Sequence, residues 1–327
     1  MHLPQAASPS PPSPPATPAA TPLPAPLLAG RATPDRIDRS EMDLSVNFLW
    51  LLGGGRALEA RFVRRDDDYF IVYLSSHTGC NQACRFCHLT ATRQVSFDAA
   101  QFDDFLAQAH AVLSHYDQVV AEGAQPAAKR VHFNWMARGE PLLNPCLVNE
   151  SAALLAALRS EAQARGLAVQ FNVSSIFPAE VALADLQALA AERDVQLFYS
   201  LYSMSPEFRK RWVPKGRAPA EVLSWLAQVQ ALHGTAVTLH WALIEGENDS
   251  ESDAVVLAGA VRASGVRAKF NLVRYNPYSG AQGREASEEA IARSFEAIAQ
   301  VVDASRSRVV PRVGFDVKAS CGMFVQG

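Results

Sequence analysis

From about Leu44 onward the chain alternates between two hydrophobic periods. Short runs of apolar, β-branched or aromatic residues recur, and each is followed by a longer Ala/Leu-rich stretch with helical spacing. The short runs predict strands at Tyr69–Ser75, Arg130–Met136, Ala168–Ser174, Gln196–Leu201, Ala236–Leu243, Ala268–Val273 and Arg308–Val313. The intervening stretches predict helices over 99–115, 148–165, 179–192, 218–233, 251–263 and 288–304, with Ser151, Glu180 and Ser287 near helix starts. Upstream, Asn47–Leu51 and Leu58–Val63 flank Gly53-Gly54-Gly55 and read as a β-hairpin. Repeated βα units imply a parallel sheet with helices outside it, so the fold class is α/β, a partial (βα)6 barrel with an N-terminal hairpin extension. Such sheets place their sites at the carboxyl ends of the strands. Cys80, Gly139, Glu140, Ser174, Ser200 and Asn276 all fall there, which predicts one shared pocket.

Composition changes the picture at the N-terminus. The first thirty residues contain no Asp, Glu, Lys or Arg and are mostly Pro, Ala, Ser and Thr, so they cannot bury enough apolar surface to offset their ordering entropy. The sequence therefore divides into a disordered Pro/Ala-rich tail, 1–43, and a folded domain, 44–327. Proline interrupts every apolar run that could serve as a signal peptide, and no stretch reaches the roughly 20 apolar residues of a membrane span. With 30 basic and 33 acidic side chains the formal charge is −3, so any polyanion would be bound by a local patch. Three of the five cysteines lie within eight residues, a ligand arrangement unlike an oxidised framework, and a reducing cytoplasm is expected.

Those three, Cys80, Cys84 and Cys87, occupy a loop just after a strand. Three thiolates can wrap one face of a 4Fe-4S cubane and leave the fourth iron open for the amino and carboxylate groups of S-adenosylmethionine (SAM). Phe86 could then lie against the adenine. A zinc site made by the same cysteines and His88 is the alternative, although adjacent Cys87 and His88 could not easily both reach one tetrahedral ion. A redox dithiol fits less well, because there are three thiols and no thioredoxin-like context.

The cysteine spacing, with an aromatic before the third, resembles the radical SAM superfamily. Further stretches resemble its RlmN/Cfr branch, which methylates adenine carbons in RNA: Ser75-Ser76-His77-Thr78-Gly79-Cys80, Arg138-Gly139-Glu140-Pro141-Leu142-Leu143-Asn144, Ser200-Leu201-Tyr202, Arg211-Trp212-Val213-Pro214, Asn271-Leu272, Tyr275-Asn276-Pro277 and Ala319-Ser320-Cys321-Gly322. The resemblance implies a partial TIM-like barrel of the radical SAM type whose C-terminal segment brings Cys321 over the pocket mouth. It implies SAM contacts from Gly139, Glu140, Asn172 or Ser174, Ser200, Leu201, Tyr202 and Asn276. It also implies that Cys321 is methylated by one SAM and that a radical from a second SAM activates the S-methyl group for addition to adenine. Glu59 matches an acidic residue treated as a proton acceptor.

Four departures bear on this reading. Tyr73 stands where the branch has the second cysteine that releases the adduct, which leaves Cys146 as the only spare thiol. Tyr202 replaces a histidine. The Arg-Asn-Leu stretch after the cluster is missing, and the tail takes the place of the branch's N-terminal RNA-binding domain. A basic run, Arg209, Lys210, Arg211, Lys215 and Arg217 around Trp212, could track RNA phosphates and stack a base, or be ordinary solvated surface. The implied partners are an RNA substrate and a reducing donor such as flavodoxin or ferredoxin, with no membrane. Open alternatives are a different substrate without two-cysteine methyl transfer, and a noncatalytic or zinc-binding barrel.

Overall fold

The computed structural model describes residues 24–326. Ten strands form one sheet whose spatial order is the chain order, with β1 and β10 at its edges. Strands β1 (Arg36–Arg39), β2 (Val46–Gly53), β3 (Arg56–Asp66) and β4 (Tyr69–Tyr73) pair antiparallel. From β4 the pairing turns parallel through β5 (Arg130–Trp135), β6 (Ala168–Ser175), β7 (Val195–Tyr199), β8 (Ala236–Trp241), β9 (Ala268–Val273) and β10 (Arg308–Val310). The expected six-strand parallel repeat is β4–β9, and β10 adds a short seventh.

Period-2 alternation sorts the strand side chains between two interiors. Phe133, Phe171, Val173, Leu197 and Leu239 are buried in the hydrophobic core. Their neighbours His132, Asn134, Gln170, Asn172, His240 and Asn271 line a central chamber. A chain of amides crosses that chamber: Asn172 donates to Asn134 at 2.6 Å, Gln170 to Asn172 at 2.7 Å and to Gln196 at 2.8 Å, and Gln196 to Thr238 at 2.6 Å. Buried amides are costly unless paired, and here they pair with one another across neighbouring strands.

The helices are α1 (His88–Ala91), α2 (Phe102–Ala121), α3 (Pro145–Asn149), α4 (Ser151–Gln163), α5 (Gln187–Ala191), α6 (Pro206–Trp212), α7 (Pro219–His233), α8 (Glu251–Ser264) and α9 (Glu288–Ala299). The helix expected over 148–165 breaks at Glu150, whose φ of −117° and ψ of 20° leave the helical region. Asn144 starts α3 by accepting from the Leu147 amide, while its own amide donates to the Ser76 and Ala100 carbonyls. Over 179–192 a 3-10 turn, Leu183–Leu186, precedes one turn of α5. The strand expected over Arg308–Val313 ends at Val310, because Pro311 has no N–H for the ladder.

The ordered chain also begins earlier than position 44. Asp104 on α2 accepts from the Leu27 and Leu28 amides at 3.0 and 2.6 Å, Trp50 donates to the Arg31 carbonyl, and β1 pairs with β2. These partners lie far along the chain, so composition could not reveal them. The rest of the expected tail, residues 1–23, lies outside the described residues. Among the described residues no helix is long and apolar enough to cross a membrane.

Candidate active site

The cysteine loop is held from both sides. His77 stacks on Phe97 with centroids 3.8 Å apart, and the Cys80 amide donates to the Gln94 carbonyl. A Cβ at Gly79 would lie 2.4 Å from the Gln94 oxygen, so only glycine packs there. The Cys87 amide donates to the Cys84 carbonyl, folding the loop so that all three thiols line the chamber. Burial first, and then the proximity of the other cysteines, pushes the Cys80 and Cys84 thiols well up; burial also takes Cys87 to about 11. Three clustered thiols hard to ionise alone fit a polycationic iron cluster, which supplies the missing charge. His88 keeps one ring nitrogen, Nε2, 3.0 Å from the Asn276 carbonyl, its ring meets Tyr278, and its Nδ1 is buried without a partner, so zinc stays the alternative occupant of these thiols. Among the described residues no three His, Cys, Asp or Glu groups converge on a single ion.

Gly139 and Glu140 follow β5. Gly139 has φ 98°, and a Cβ there would stand 2.4 Å from Ser76 Oγ and 2.7 Å from His77 Nδ1. The glycine is therefore needed for packing against the cysteine loop, and it lines the chamber as well. Glu140 is 5 % exposed, accepts from the Leu142 and Ile176 amides, and has no cationic partner among the described residues. Burial pushes its carboxyl up to about 7 against the pull of Ser175 and those amides. An uncompensated buried carboxylate beside three cysteines is suited to an incoming ammonium group.

Asn172, Ser174, Ser200, Tyr202 and Asn276 line the same chamber. Tyr202, at φ 57°, stacks on Phe86 with centroids 4.4 Å apart, making an aromatic wall beside the cysteines. Leu201 points away, fully buried, and its carbonyl accepts from Arg209. The Asn276 amide is used by the protein: it donates to the Cys321 carbonyl at 3.0 Å and accepts from Arg312 at 2.8 Å.

Cys321 lines the chamber too and is the one exposed cysteine of the five, with Arg61 and Arg65 near enough to favour its thiolate. Its segment is anchored on both sides, by Asn276 and by the His88 amide donating to the Gly322 carbonyl. Further on, Arg61 donates to the Met323 carbonyl, Arg138 to the Val325 carbonyl, and the Val325 amide to Glu59. Glu59 is the hub: Arg61 and Arg138 each reach it at 2.7 Å, all three are at most 1 % exposed, and both guanidiniums lie against the Phe324 ring. Burial alone would raise the Glu59 carboxyl, but the two guanidiniums outweigh it and hold it below the ordinary range. Arg61 and Arg138 were not singled out from the sequence, although an arginine between Ala60 and Phe62 in an apolar run is itself a sign of a buried partner.

Tyr73, at the end of β4, faces the chamber. Cys146 does not line it; it is 4 % exposed at the start of α3, and burial takes its thiol to about 12. Most of the basic run is internal wiring. Arg209 donates to the Leu201 and Arg217 carbonyls, Arg217 pairs with Glu221, Arg211 pairs with Glu247, and Trp212 is 1 % exposed with its indole N–H on Glu247. Trp212 cannot stack a base, and within the run only Lys210 and Lys215 are exposed without a partner.

The family model of the radical SAM superfamily matches residues 74–258. A dual-specificity RNA methyltransferase RlmN of Methylorubrum extorquens is 28% identical over 262 residues, covering 78% of this chain and 59% of the relative. A probable dual-specificity RNA methyltransferase RlmN of Deinococcus deserti is 30% identical over 289 residues, 86% of this chain and 77% of the relative. The chain thus spans about three fifths of the first of these. A solved radical SAM methyltransferase from Sphaerobacter thermophilus shares the fold, with a TM-score of 0.72 at 23% identity over 90% of this chain and 83% of that one. That family implies a 4Fe-4S cluster and SAM, and the three chamber-lining thiols and the uncompensated Glu140 suit both. With its family model covering more than half of its length, the chain belongs to the radical SAM superfamily.

Proposed function

We propose that this protein is a radical SAM methyltransferase acting on an adenine base, with RNA as the leading substrate, through an S-methyl group on Cys321. The observation that carries the proposal is the shared chamber: Cys321 lines the same cavity as Cys80, Cys84, Cys87 and Glu140. The cluster and SAM, when bound, supply the one-electron chemistry that removes hydrogen from an unactivated methyl group. The protein's own residues bind and orient. Cys80, Cys84 and Cys87 hold the cluster, Glu140 receives the SAM ammonium, and Phe86 and Tyr202 form a wall for the adenine. SAM, when bound, would supply the methyl group that Cys321 accepts on its sulfur, and the thiol proton would leave to solvent. Asn276 and the His88 amide fix the backbone around that sulfur.

Tyr73 cannot form a disulfide with Cys321, and Cys146 lies away in the core, so release of product here runs without the second thiol. This supports a second reading, a radical SAM enzyme acting on a different substrate without two-cysteine methyl transfer. The electron comes from a flavodoxin- or ferredoxin-type donor in a reducing, cytoplasmic setting. The test is anaerobic incubation of the reconstituted protein with methyl-labelled SAM, followed by peptide mass spectrometry. One labelled methyl on the Cys321 peptide, lost in Cys321→Ala, is the expected result, and an unlabelled peptide overturns the proposal. Comparing methyladenosines in RNA from cells with and without the gene then separates RNA from other substrates.

A further inference from the structure

The chamber has a second end. On β4, Tyr69 lies four residues below Tyr73, about 13 Å deeper at the usual strand rise, and both side chains face the lumen. Around Tyr69 gather His132 from β5, Lys269 from β9 and Arg308 from β10, while Arg65 from β3 lines the lumen between this end and Cys321. Tyr69 stacks on His132 with centroids 4.6 Å apart, and Arg308 approaches the Tyr69 hydroxyl at 3.5 Å across the sheet opening.

Neither of the two cations at this end, Lys269 and Arg308, has an ion pair among the described residues, and nor has Arg65 above them. Lys269 lies over the Phe198 ring at 5.9 Å, and Arg65 Nε and His132 Nε2 are buried without a hydrogen-bond partner. The nearby acids are engaged elsewhere: Asp68 pairs with Lys129, Asp67 approaches Arg64, Asp66 caps the Asp68 amide, and Asp303 accepts from Ser305. Burial, with Arg306 and Arg308 adding to it and Asp303 pulling the other way, brings the Lys269 ammonium down to about 8. Burial, Arg130, Lys269 and Arg308 bring His132 down to about 4, so its imidazole is neutral at physiological pH. Like charges held together in a half-enclosed space repel one another unless an anion joins them. Arginine forks and a lysine ammonium together are the groups that recognise phosphate.

We propose that this deep end of the lumen is a phosphate-binding site, formed by Lys269 and Arg308 with His132 and Tyr69. It takes the phosphate of a nucleotide whose base extends up the lumen from this end. The inference deepens the reading of the chamber as a substrate site and rests on it. The phosphate belongs either to a free nucleotide or to an RNA strand entering through the sheet opening.

The test is calorimetric titration of the full chain with adenosine, adenosine monophosphate, inorganic phosphate and a short oligoadenylate. Charge-assisted contacts predict that the monophosphate binds about tenfold or more tightly than adenosine. Lys269→Gln and Arg308→Gln should each erase that preference while leaving SAM binding unchanged, and Lys269→Arg should keep it. Oligoadenylate competing with inorganic phosphate supports the site and names RNA as the source. A monophosphate that outcompetes the oligomer supports it and names a free nucleotide. Equal affinity for adenosine and its monophosphate on the unmodified protein, which requires no variant, overturns the site, as does preference retained in both glutamine variants. If that happens while Cys321 still accepts a methyl from SAM, only the phosphate site falls and the methyl-transfer proposal stands.

Discussion

At the scale of single residues, the site separates into groups that are uncomfortable alone and groups that are satisfied. Glu140 belongs to the first kind. Its carboxyl sits near 7 in the folded protein against an ordinary 4.5, so charging it costs the folded state. Between those two values the native protein holds a proton that the unfolded chain has already released. Stability therefore falls as pH rises through that window, by on the order of 3 kcal/mol. Glu140→Gln should remove this loss: urea melts of the cofactor-free variant at about pH 5 and about pH 8 should agree more closely than those of the parent. The same variant should bind SAM poorly, a trade of function for stability. A parent as stable at the higher pH as at the lower would show that Glu140 is not held uncharged. The cysteines, Gly139 and Glu140 were legible in the sequence because each sits in a short local string at a strand end. The engagement of Asn276 with Cys321 and Arg312 was not, since those partners come from the far end of the chain.

At the scale of elements, the strands were more legible than the helices. Period-2 runs such as Ala268–Val273 match their observed bounds, because Phe270 and Leu272 face the core while Lys269 and Asn271 face the chamber, which leaves a clear alternation. The basic run hid α6: Pro206–Trp212 carries Arg209, Lys210 and Arg211 in its last turn, favourable at a helix C-terminus, yet the charges suggested a surface patch. Ser205 caps that helix through the Phe208 amide, a signal that was available. The junction of β5 with the cysteine loop is the element-level weak point. Gly139→Ala adds a Cβ into Ser76 and His77 at a left-handed backbone position, so the cost exceeds the roughly 1–3 kcal/mol of the backbone conformation itself. The variant should melt lower and incorporate less iron on anaerobic reconstitution, because the clash pushes directly on the loop carrying Cys80. Full iron incorporation with unchanged melting would refute that coupling.

At the scale of the whole molecule, the two chain ends close the barrel over its chamber. Asp316 accepts from Ser40 and the Glu41 amide, Asp43 accepts from the Gly314 amide, and the last described residues lie on the Glu59, Arg61 and Arg138 triad. That triad joins β3, the loop after β5 and the C-terminal segment, three stretches that no local sequence pattern connects. Its geometry bears on the role of Glu59. A proton acceptor needs a free lone pair facing substrate, whereas this carboxylate is fully buried, meets two guanidiniums and a backbone amide, and does not line the chamber. Glu59→Gln would leave two buried guanidiniums without their counter-charge, a loss of about 3–5 kcal/mol. Because the folded carboxyl lies below its ordinary range, its contribution is complete above the unfolded value and disappears as pH falls through the folded one. The variant should therefore melt much earlier than the parent at neutral pH and converge on it in acid, with its C-terminal segment cut readily by carboxypeptidase. A Glu59 acting only as a proton acceptor would give the opposite pattern: an intact fold, a protected C-terminus, and methyl transfer from Cys321 alone impaired.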